Sequence, residues 1–549
     1  MTACPRLIIT LTAVTVICVF PRMSLAAVRD QERASVIPQP VSIEYTEGFF
    51  TITSSTQVVA EQEAEALKLI DALAPAMGFR LELVTRSKRQ DKVIQLELNQ
   101  QLPQIGDEGY TLEVTPRRTL IRAVRPAGLF YGIQTLRQLL PPSIFSKAKA
   151  EGVTWRLPCV RITDYPRFKW RGLLVDPARH FIPKPALLRF IDTMALHKLN
   201  SLQIHLTDDQ GWRIEIRKYP QLTEIGAFMD FTTMRSGGKR EAASGQHPGG
   251  FYTQDDIRQL VRYSTERYIN IVPEIEMPAH TGAAIVSYPN LGLYPQKLNN
   301  IPPDKRWTAN ERILAPRPQT VAFMQDVLTE VIGLFPGRYI HIGGDEANKD
   351  HWKRSEEMQA LIRQFGLKDE AELHSWFIKQ MDAFLTKHGR RLVGWDEILQ
   401  GGLAPGATVM SWRGESGGIT AANAGHDVVM APTSHTYFDY YQGPPEKEPL
   451  AIGGNLPLSK VYEYEPIPNA IAPGKTRHVL GVQGQLWGEY ISTPQHLDYM
   501  AYPRAAALAE VGWSPKTSKD YEYFLTRLNH HIERLKAIGI SYRPPEPGK

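Results

Sequence analysis

The segment His341-Ile342-Gly343-Gly344-Asp345-Glu346 carries two adjacent carboxylates directly after a pair of glycines. Glycine lets the backbone turn sharply, and side chains alternate along an extended segment, so Asp345 and Glu346 can aim at different parts of one bound molecule. Two neighbouring carboxyls resist ionising together, which predicts that one of them keeps a proton near neutral pH. Such a pair suits cleavage of a glycosidic bond in a particular form. The usual retaining arrangement puts nucleophile and acid on opposite sides of the scissile bond, about 5 Å apart, and adjacent residues serve that poorly. They serve better where the substrate supplies its own nucleophile: Glu346 protonates the leaving oxygen, while Asp345 holds an acetamido N–H whose carbonyl oxygen attacks the anomeric carbon. The alternative for an isolated pair is a solvated Asp-Glu turn or a helix N-terminus, and the Gly-Gly context argues against it.

Further side chains fit the same chemistry. Trp395, Trp412 and Trp487 offer indole faces on which apolar sugar faces and acetamido methyls pack. Tyr437 and Asp439 supply a phenol for the acetamide carbonyl and an acceptor for a sugar hydroxyl, and Glu489 offers a second acceptor. Arg179 either forks two hydroxyls of a terminal sugar or pairs structurally with a neighbouring acid. His205, Asp208, Asp209 and His280 read as a metal site or as a supporting hydrogen-bond network. We favour the network, with no metal, because the His-x-x-x-His spacing of one helical face is absent.

These residues need a frame that brings them together. After Tyr165-Pro166 short apolar strands alternate with helical stretches, the signature of βα units. Eight strands are expected: Gly172 to Asp176, Ser201 to Leu206, Ile269 to Glu274, Tyr339 to Gly343, Arg391 to Trp395, Thr408 to Trp412, Asp427 to Met430 and Val479 to Gln483. One helix should begin at Thr253, which forms a capping box with Asp256. The fold class is therefore α/β, a (β/α)8 barrel of the TIM type over 161–515, whose sites lie at the carboxyl ends of the strands. Every candidate residue falls at or just after such an end. Ahead of the barrel, 28–160 read as a small α+β domain, with a run from Glu61 to Leu73, a strand Val93 to Leu98, a hairpin of Tyr110 to Val114 and Thr119 to Ala123, and a helix from Ala127 to Leu140. A helical tail, 516–549, should pack on the barrel.

The chain has 549 residues, 42% hydrophobic and 22% charged, which calls for more than one core. Its 63 Lys+Arg and 58 Asp+Glu are interspersed, so no basic stripe marks a nucleic-acid partner. Residues 1–27 have a positive start, an apolar run from Leu7 to Phe20 and small residues at Ser24 to Ala27, as in a cleaved export signal. The run is shorter than the roughly 20 residues that span a bilayer, so no stable membrane span is expected. Cys159 is then the one cysteine of the processed chain and cannot make an internal disulfide. The absence of any Asn-x-Ser/Thr acceptor fits a bacterial periplasmic or extracellular protein.

Asp-Pro-Ala-Arg-His at 176–180, His-Leu-Thr-Asp-Asp-Gln-Gly-Trp-Arg at 205–213, Pro-Glu-Ile-Glu-Met-Pro-Ala-His-Thr at 273–281 and His341 to Glu346 together resemble glycoside hydrolase family 20. Gly394-Trp395-Asp396-Glu397, Tyr437-Phe438-Asp439 and Gln485-Leu486-Trp487-Gly488-Glu489 continue the likeness in the family's order. The resemblance implies removal of terminal β-linked N-acetylglucosamine or N-acetylgalactosamine from oligosaccharides or glycoconjugates, an oxazolinium intermediate and no cofactor. It also implies Arg179, Asp439 and Glu489 on sugar hydroxyls, Tyr437 with Asp345 on the acetamide, and Asp208 and His280 in a network near the acid. The sequence departs from the family at Gln203-Ile204 and Ala279, which touches packing and no reacting group. A metal-dependent hydrolase using His205, Asp208, His280 and Asp345, and a non-catalytic glycan-binding protein, are the competing readings.

Overall fold

The computed structural model describes residues 35–228, 249–302 and 311–545. The expected export signal and most of the loop between Gly226 and Gly250, which the sequence suggests as a shaper of distal subsites, lie outside the described residues.

The first unit is a seven-stranded sheet. Its strands are β1 (Ser42–Thr51), β2 (Gln57–Ala60), β3 (Glu82–Val84), β4 (Val93–Leu98), β5 (Tyr110–Val114), β6 (Arg118–Ala123) and β7 (Arg156–Asp164), in the order β1-β7-β5-β6-β4-β2-β3. β5 and β6 form the expected hairpin, with Leu112 opposite Ile121. Helices α1 (Glu63–Met77) and α2 (Pro126–Leu139) cover the sheet. Leu69, Leu73, Leu129, Ile133 and Leu136 are fully buried, at the 3–4-residue spacing of amphipathic helices. β7 runs to Asp164, so the junction falls at 165–169 and not at 160.

The second unit is a closed barrel of parallel strands. They are β8 (Trp170–Val175), β9 (Ser201–His205), then, after a small ribbon of β10 (Thr207–Asp208) and β11 (Gly211–Trp212), β12 (Asn270–Glu274), β13 (Tyr339–His341), β14 (Arg391–Trp395), β15 (Thr408–Ser411), β16 (Val428–Met430) and β17 (Val479–Leu486). β17 closes the ring against β8, Gln483 opposite Gly172. Trp170, Leu174, Val272, Val393, Met410 and Val429 fill the interior, as the layered cores of such barrels require. Outside lie α3 (Lys184–Leu196), α4 (Gln254–Thr265), α5 (Pro318–Leu334), α6 (Glu370–Lys387), α7 (Ser416–Ala424) and α8 (Arg504–Trp513). The capping box of Thr253 and Asp256 starts α4.

Three details depart from expectation. β13 stops at His341 because Gly343 and Gly344 take φ values of 69° and 92° and leave the ladder. A single 3-10 turn, Asp396–Leu399, follows β14 where a helix would complete the repeat. The tail helix α9 (Tyr521–Ile538) packs on both units, not on the barrel alone: Arg527 donates to the carbonyl of Val36 (2.9 Å), and Arg534 to those of Ser35 (2.5 Å) and Gln138 (2.7 Å).

Candidate active site

The carboxyl ends of the barrel strands gather every predicted residue into one mouth. Asp345 and Glu346 follow β13 on the glycine turn, and that turn requires glycine: a Cβ on Gly343 would sit 1.6 Å from Glu276 Oε2. The two carboxyls do not alternate as in an extended segment, because Glu346 has a φ of 47°, and both reach the same histidine. The Asp345 side chain is 14% exposed and that of Glu346 59%. His280 stands between them, its Nε2 3.5 Å from Asp345 Oδ2 and 3.3 Å from Glu346 Oε2.

Their proton affinities part as well, in the opposite sense to what a resting acid at Glu346 would need. Burial raises the Asp345 carboxyl above its ordinary range, with the charges of Glu274 and Glu346 adding and His280 opposing. The hydrogen bond from His280 holds Glu346 below its ordinary range, burial opposing. In the free site, then, the carboxyl with the raised affinity is Asp345. The physical reasons differ: the His280 hydrogen bond favours the Glu346 carboxylate, whereas burial disfavours that of Asp345.

A chain of charge runs inward from His280. Its Nδ1 lies 3.4 Å from Asp208 Oδ1, and Asp208 Oδ2 meets Arg179 Nη2 (2.7 Å) and His205 Nε2 (2.8 Å). Asp209 accepts from the Gly282 backbone N–H through Oδ1 (2.9 Å) and keeps Oδ2 3.9 Å from His280 Nδ1, a longer contact than that of Asp208, which also meets Arg179 and His205. Burial alone would raise the Asp208 carboxyl, but Arg179 and His280 hold it well below its usual range. His205 also donates through Nδ1 to Glu274 Oε2 (2.6 Å). Burial opposes its charge, yet Glu274, Asp176 and Asp208 lift it to about 10.

Glu274 and Glu276 were given no role from the sequence. Glu274 is fully buried and accepts from Gln203 Nε2 (2.8 Å) and Trp395 Nε1 (2.9 Å) besides His205. Burial disfavours its charge, but His341 and His205 hold it well below the ordinary range. Glu276, 1% exposed, has neither carboxyl oxygen bonded. Burial, reinforced by Asp345 and Glu274 and opposed by His280, pushes it well up, which favours its neutral form. The signal available was Pro-Glu-Ile-Glu itself, two carboxyls at strand spacing facing one side.

The half of the mouth toward β16, β17 and β8 holds Arg179, Asp439, Trp487 and Glu489. Arg179 shows the structural pairing with neighbouring acids: Nη1 and Nη2 are anchored by Asp176 (3.0 Å) and Asp208, Nε by Gln210 (3.1 Å), and Nη2 comes within 3.8 Å of Glu489. Its guanidinium lies over Trp487, 5.1 Å from the ring centre. Trp487 packs edge-on to His205 and against Trp395. Trp395 is as much barrel core as pocket floor, being 1% exposed. Trp412 stacks with Tyr437 at 6.2 Å and 25°. Three carboxylate oxygens, Asp345 Oδ1, Asp439 Oδ1 and Glu489 Oε2, are buried without a hydrogen-bond partner. Buried acceptors are costly to leave unpaired, and these three, from loops after three different strands, converge where a polyhydroxylated ring would pair them. Burial raises both Asp439 and Glu489, the charge of Glu489 adding at Asp439.

Among the described residues, three groups of side chains are close enough to hold a cation: His205 with Glu274 and Glu276, Asp208 with Asp209 and His280, and His280 with Asp345 and Glu346. Their donor chemistry does not fit one. Both nitrogens of His205 face carboxylates, as do both of His280, whose affinity Asp208 and Asp345 raise well above the ordinary value against burial. A doubly protonated ring has no lone pair for a metal.

Comparison with known proteins agrees with this geometry. Residues 168–516 match the model of the glycosyl hydrolase family 20 catalytic domain, and 33–165 that of the family's domain 2. A β-hexosaminidase of Porphyromonas gingivalis is 43% identical over 520 residues, covering 93% of this chain, which spans 65% of that relative's length. The β-N-acetylhexosaminidase structure from Streptomyces coelicolor A3(2) is 33% identical, with a TM-score of 0.80 over 93% of this chain and 97% of its own. The Vibrio harveyi exo-β-N-acetylglucosaminidase complex with N-acetylglucosamine is also 33% identical, with a TM-score of 0.81 over 94% and 80%.

Proposed function

Since the chain belongs to glycosyl hydrolase family 20, we propose that it is a β-N-acetylhexosaminidase, exo-acting and retaining, that uses the substrate's acetamide as nucleophile. The observation that carries this reading is the adjacent pair Asp345 and Glu346 on His280 Nε2, one side chain 14% exposed and the other 59%. Asp345 accepts the acetamido N–H and Tyr437 donates to the acetamide carbonyl. Trp395, Trp412 and Trp487 enclose the methyl group. The carbonyl oxygen attacks the anomeric carbon as that carbon's bond to the leaving oxygen breaks, and the Glu346 carboxyl proton passes to the leaving oxygen. Water then opens the oxazolinium ring, giving its proton to Glu346. Glu346 must enter this cycle protonated, and the burial that a seated sugar adds favours that form against the hydrogen bond from His280. Arg179, Asp439 and Glu489 close the pocket behind the ring, which supports action on a chain end, with N-acetylglucosamine or N-acetylgalactosamine as the terminal sugar. The export signal read at 1–27 supports a periplasmic or extracellular site of action.

Hydrolysis of a chromogenic β-N-acetylglucosaminide by wild type, Glu346→Gln and Asp345→Asn, with a thiazoline analogue of the cyclised intermediate, tests the proposal. Both variants should lose about 10²-fold or more of kcat, and the thiazoline should inhibit strongly. Binding without turnover by wild type would make the protein a glycan-binding module. Turnover insensitive to the thiazoline would discard substrate assistance.

A further inference from the structure

Two carboxylates that follow β14, Asp396 and Glu397, have no part in the reaction described above. Their side chains are 2% and 8% exposed. Asp396 holds the backbone beyond β15: its Oδ2 accepts from the N–H groups of Trp412 (3.2 Å) and Arg413 (3.3 Å), and its Oδ1 from Arg413 Nε (2.6 Å). Glu397 reaches past that turn to the indole itself, accepting from Trp412 Nε1 at 3.0 Å. The same indole stacks against Tyr437. The ring's two degrees of freedom are thus fixed by different acids, its root by Asp396 and its far edge by Glu397.

Resting on the acetamide pocket proposed above, we infer that Glu397 is a positioning residue, which sets the face Trp412 presents to the 2-acetamido group by holding the indole N–H. Glu397 touches neither the reacting atoms nor the sugar in this arrangement, so its effect is on binding more than on the chemical step. Its surroundings make the hold responsive to pH. Burial raises its carboxyl to about 7, the Trp412 N–H opposing and the charge of Asp345 adding, with Arg413 Nε 3.5 Å from Oε1 and Asp396 alongside. Lys349, across the turn, also faces it. A carboxylate is a stronger acceptor than a carboxylic acid. The grip on Trp412 is therefore firm above about pH 7 and loosens as the pH falls through that value.

Calorimetric binding of N-acetylglucosamine at pH 5.5 and 8, with steady-state kinetics on the chromogenic glycoside, tests this in wild type, Glu397→Gln and Glu397→Leu. Glu397→Leu leaves the indole N–H unpaired and should weaken binding and raise KM about tenfold at pH 8, with kcat within about threefold. Glu397→Gln keeps an acceptor and should restore most of that affinity, while its response between the two pH values is smaller than that of wild type. In a Trp412→Phe background, which lacks the N–H, Glu397→Gln should change nothing further. Wild-type KM and affinity in Glu397→Leu, or loss of kcat alone, would overturn the inference. A wild type that neither binds the sugar nor turns over the glycoside would instead remove the pocket assignment beneath it.

Discussion

At the scale of single residues, the site is a ladder of alternating charge that descends from the mouth: Glu346, His280, Asp208, His205 and Glu274. Removing a rung from such a buried series costs more than the contact it makes, because the partner's charge is left uncompensated. Glu274→Gln should therefore destabilise the protein by about 3–5 kcal/mol and depress activity, since His205 and Trp395 both depend on that carboxylate. Glu276→Gln, three atoms away in chemistry but already uncharged, should leave the melting temperature within a few degrees and activity within a few-fold. Thermal melts and assays of the two variants side by side check the contrast; equal damage would show that Glu276 is ionised. That the adjacent carboxyls, the three tryptophans and the acids of the mouth meet at one end of the barrel is legible in the sequence, because glycine turns and strand ends mark them. Glu274 and Glu276 are not, because a carboxyl on a strand ordinarily faces solvent and only the closed barrel turns this pair inward. For the same reason, the choice between Asp208 and Asp209 had to wait for their side-chain directions.

Secondary-structure elements were read well where one face is apolar and poorly where a ladder or helix ends for reasons of the site. Val93 to Leu98 and Tyr110 to Val114 emerge with their expected bounds, while β13 is cut short by the glycines that present Asp345. The packing of α9 was less visible, because nothing in an amphipathic helix names its partner. In the fold it meets the end of α3 through two buried histidines, His531 Nε2 and His197 Nε2 lying 2.8 Å apart. His197 Nδ1 donates to the carbonyl of Thr193 (2.7 Å), and His531 Nδ1 accepts from Arg534 (3.3 Å). Both rings are thus neutral, and a proton on either would lack an acceptor. Burial lowers His197 to about 4, Arg534 adding, and lowers His531 well below its usual value, with His197, Arg534 and Arg527 contributing. A folded-state value below the unfolded one means stability that is present above about pH 6.5 and lost as pH falls toward 4. For His197 this is on the order of 3 kcal/mol. Chemical denaturation between pH 7 and 4 should show that loss, and His531→Gln, which can still donate and accept, should flatten it; an unchanged slope would mean that other groups dominate.

At the scale of the molecule, sheet and barrel are joined through buried charge. Lys198 and Asp164 are both fully buried, 2.7 Å apart, and Asp164 also accepts from Tyr110 Oη (2.6 Å) and Trp513 Nε1 (2.8 Å). Arg171, on β8, forks Glu108 of the first unit at 2.7 and 3.1 Å. With such a seam the two units should unfold in one calorimetric transition, and Lys198→Met should lower its midpoint, because it strands a buried carboxylate at a cost of about 3–5 kcal/mol. Two separated transitions in wild type would show that the seam does not couple them.

The ring of strands closes where β17 meets β8, and α9 then returns to the carbonyls of Ser35 and Val36. A chain leaving the ribosome thus makes its first barrel strand long before the strand that seals it. Ser35 and Val36 wait for a helix that comes almost five hundred residues later. Until then there is no completed cylinder, and the half-built barrel has an open seam. Once that helix docks, the same connectivity acts as a clasp that holds both ends of the described chain.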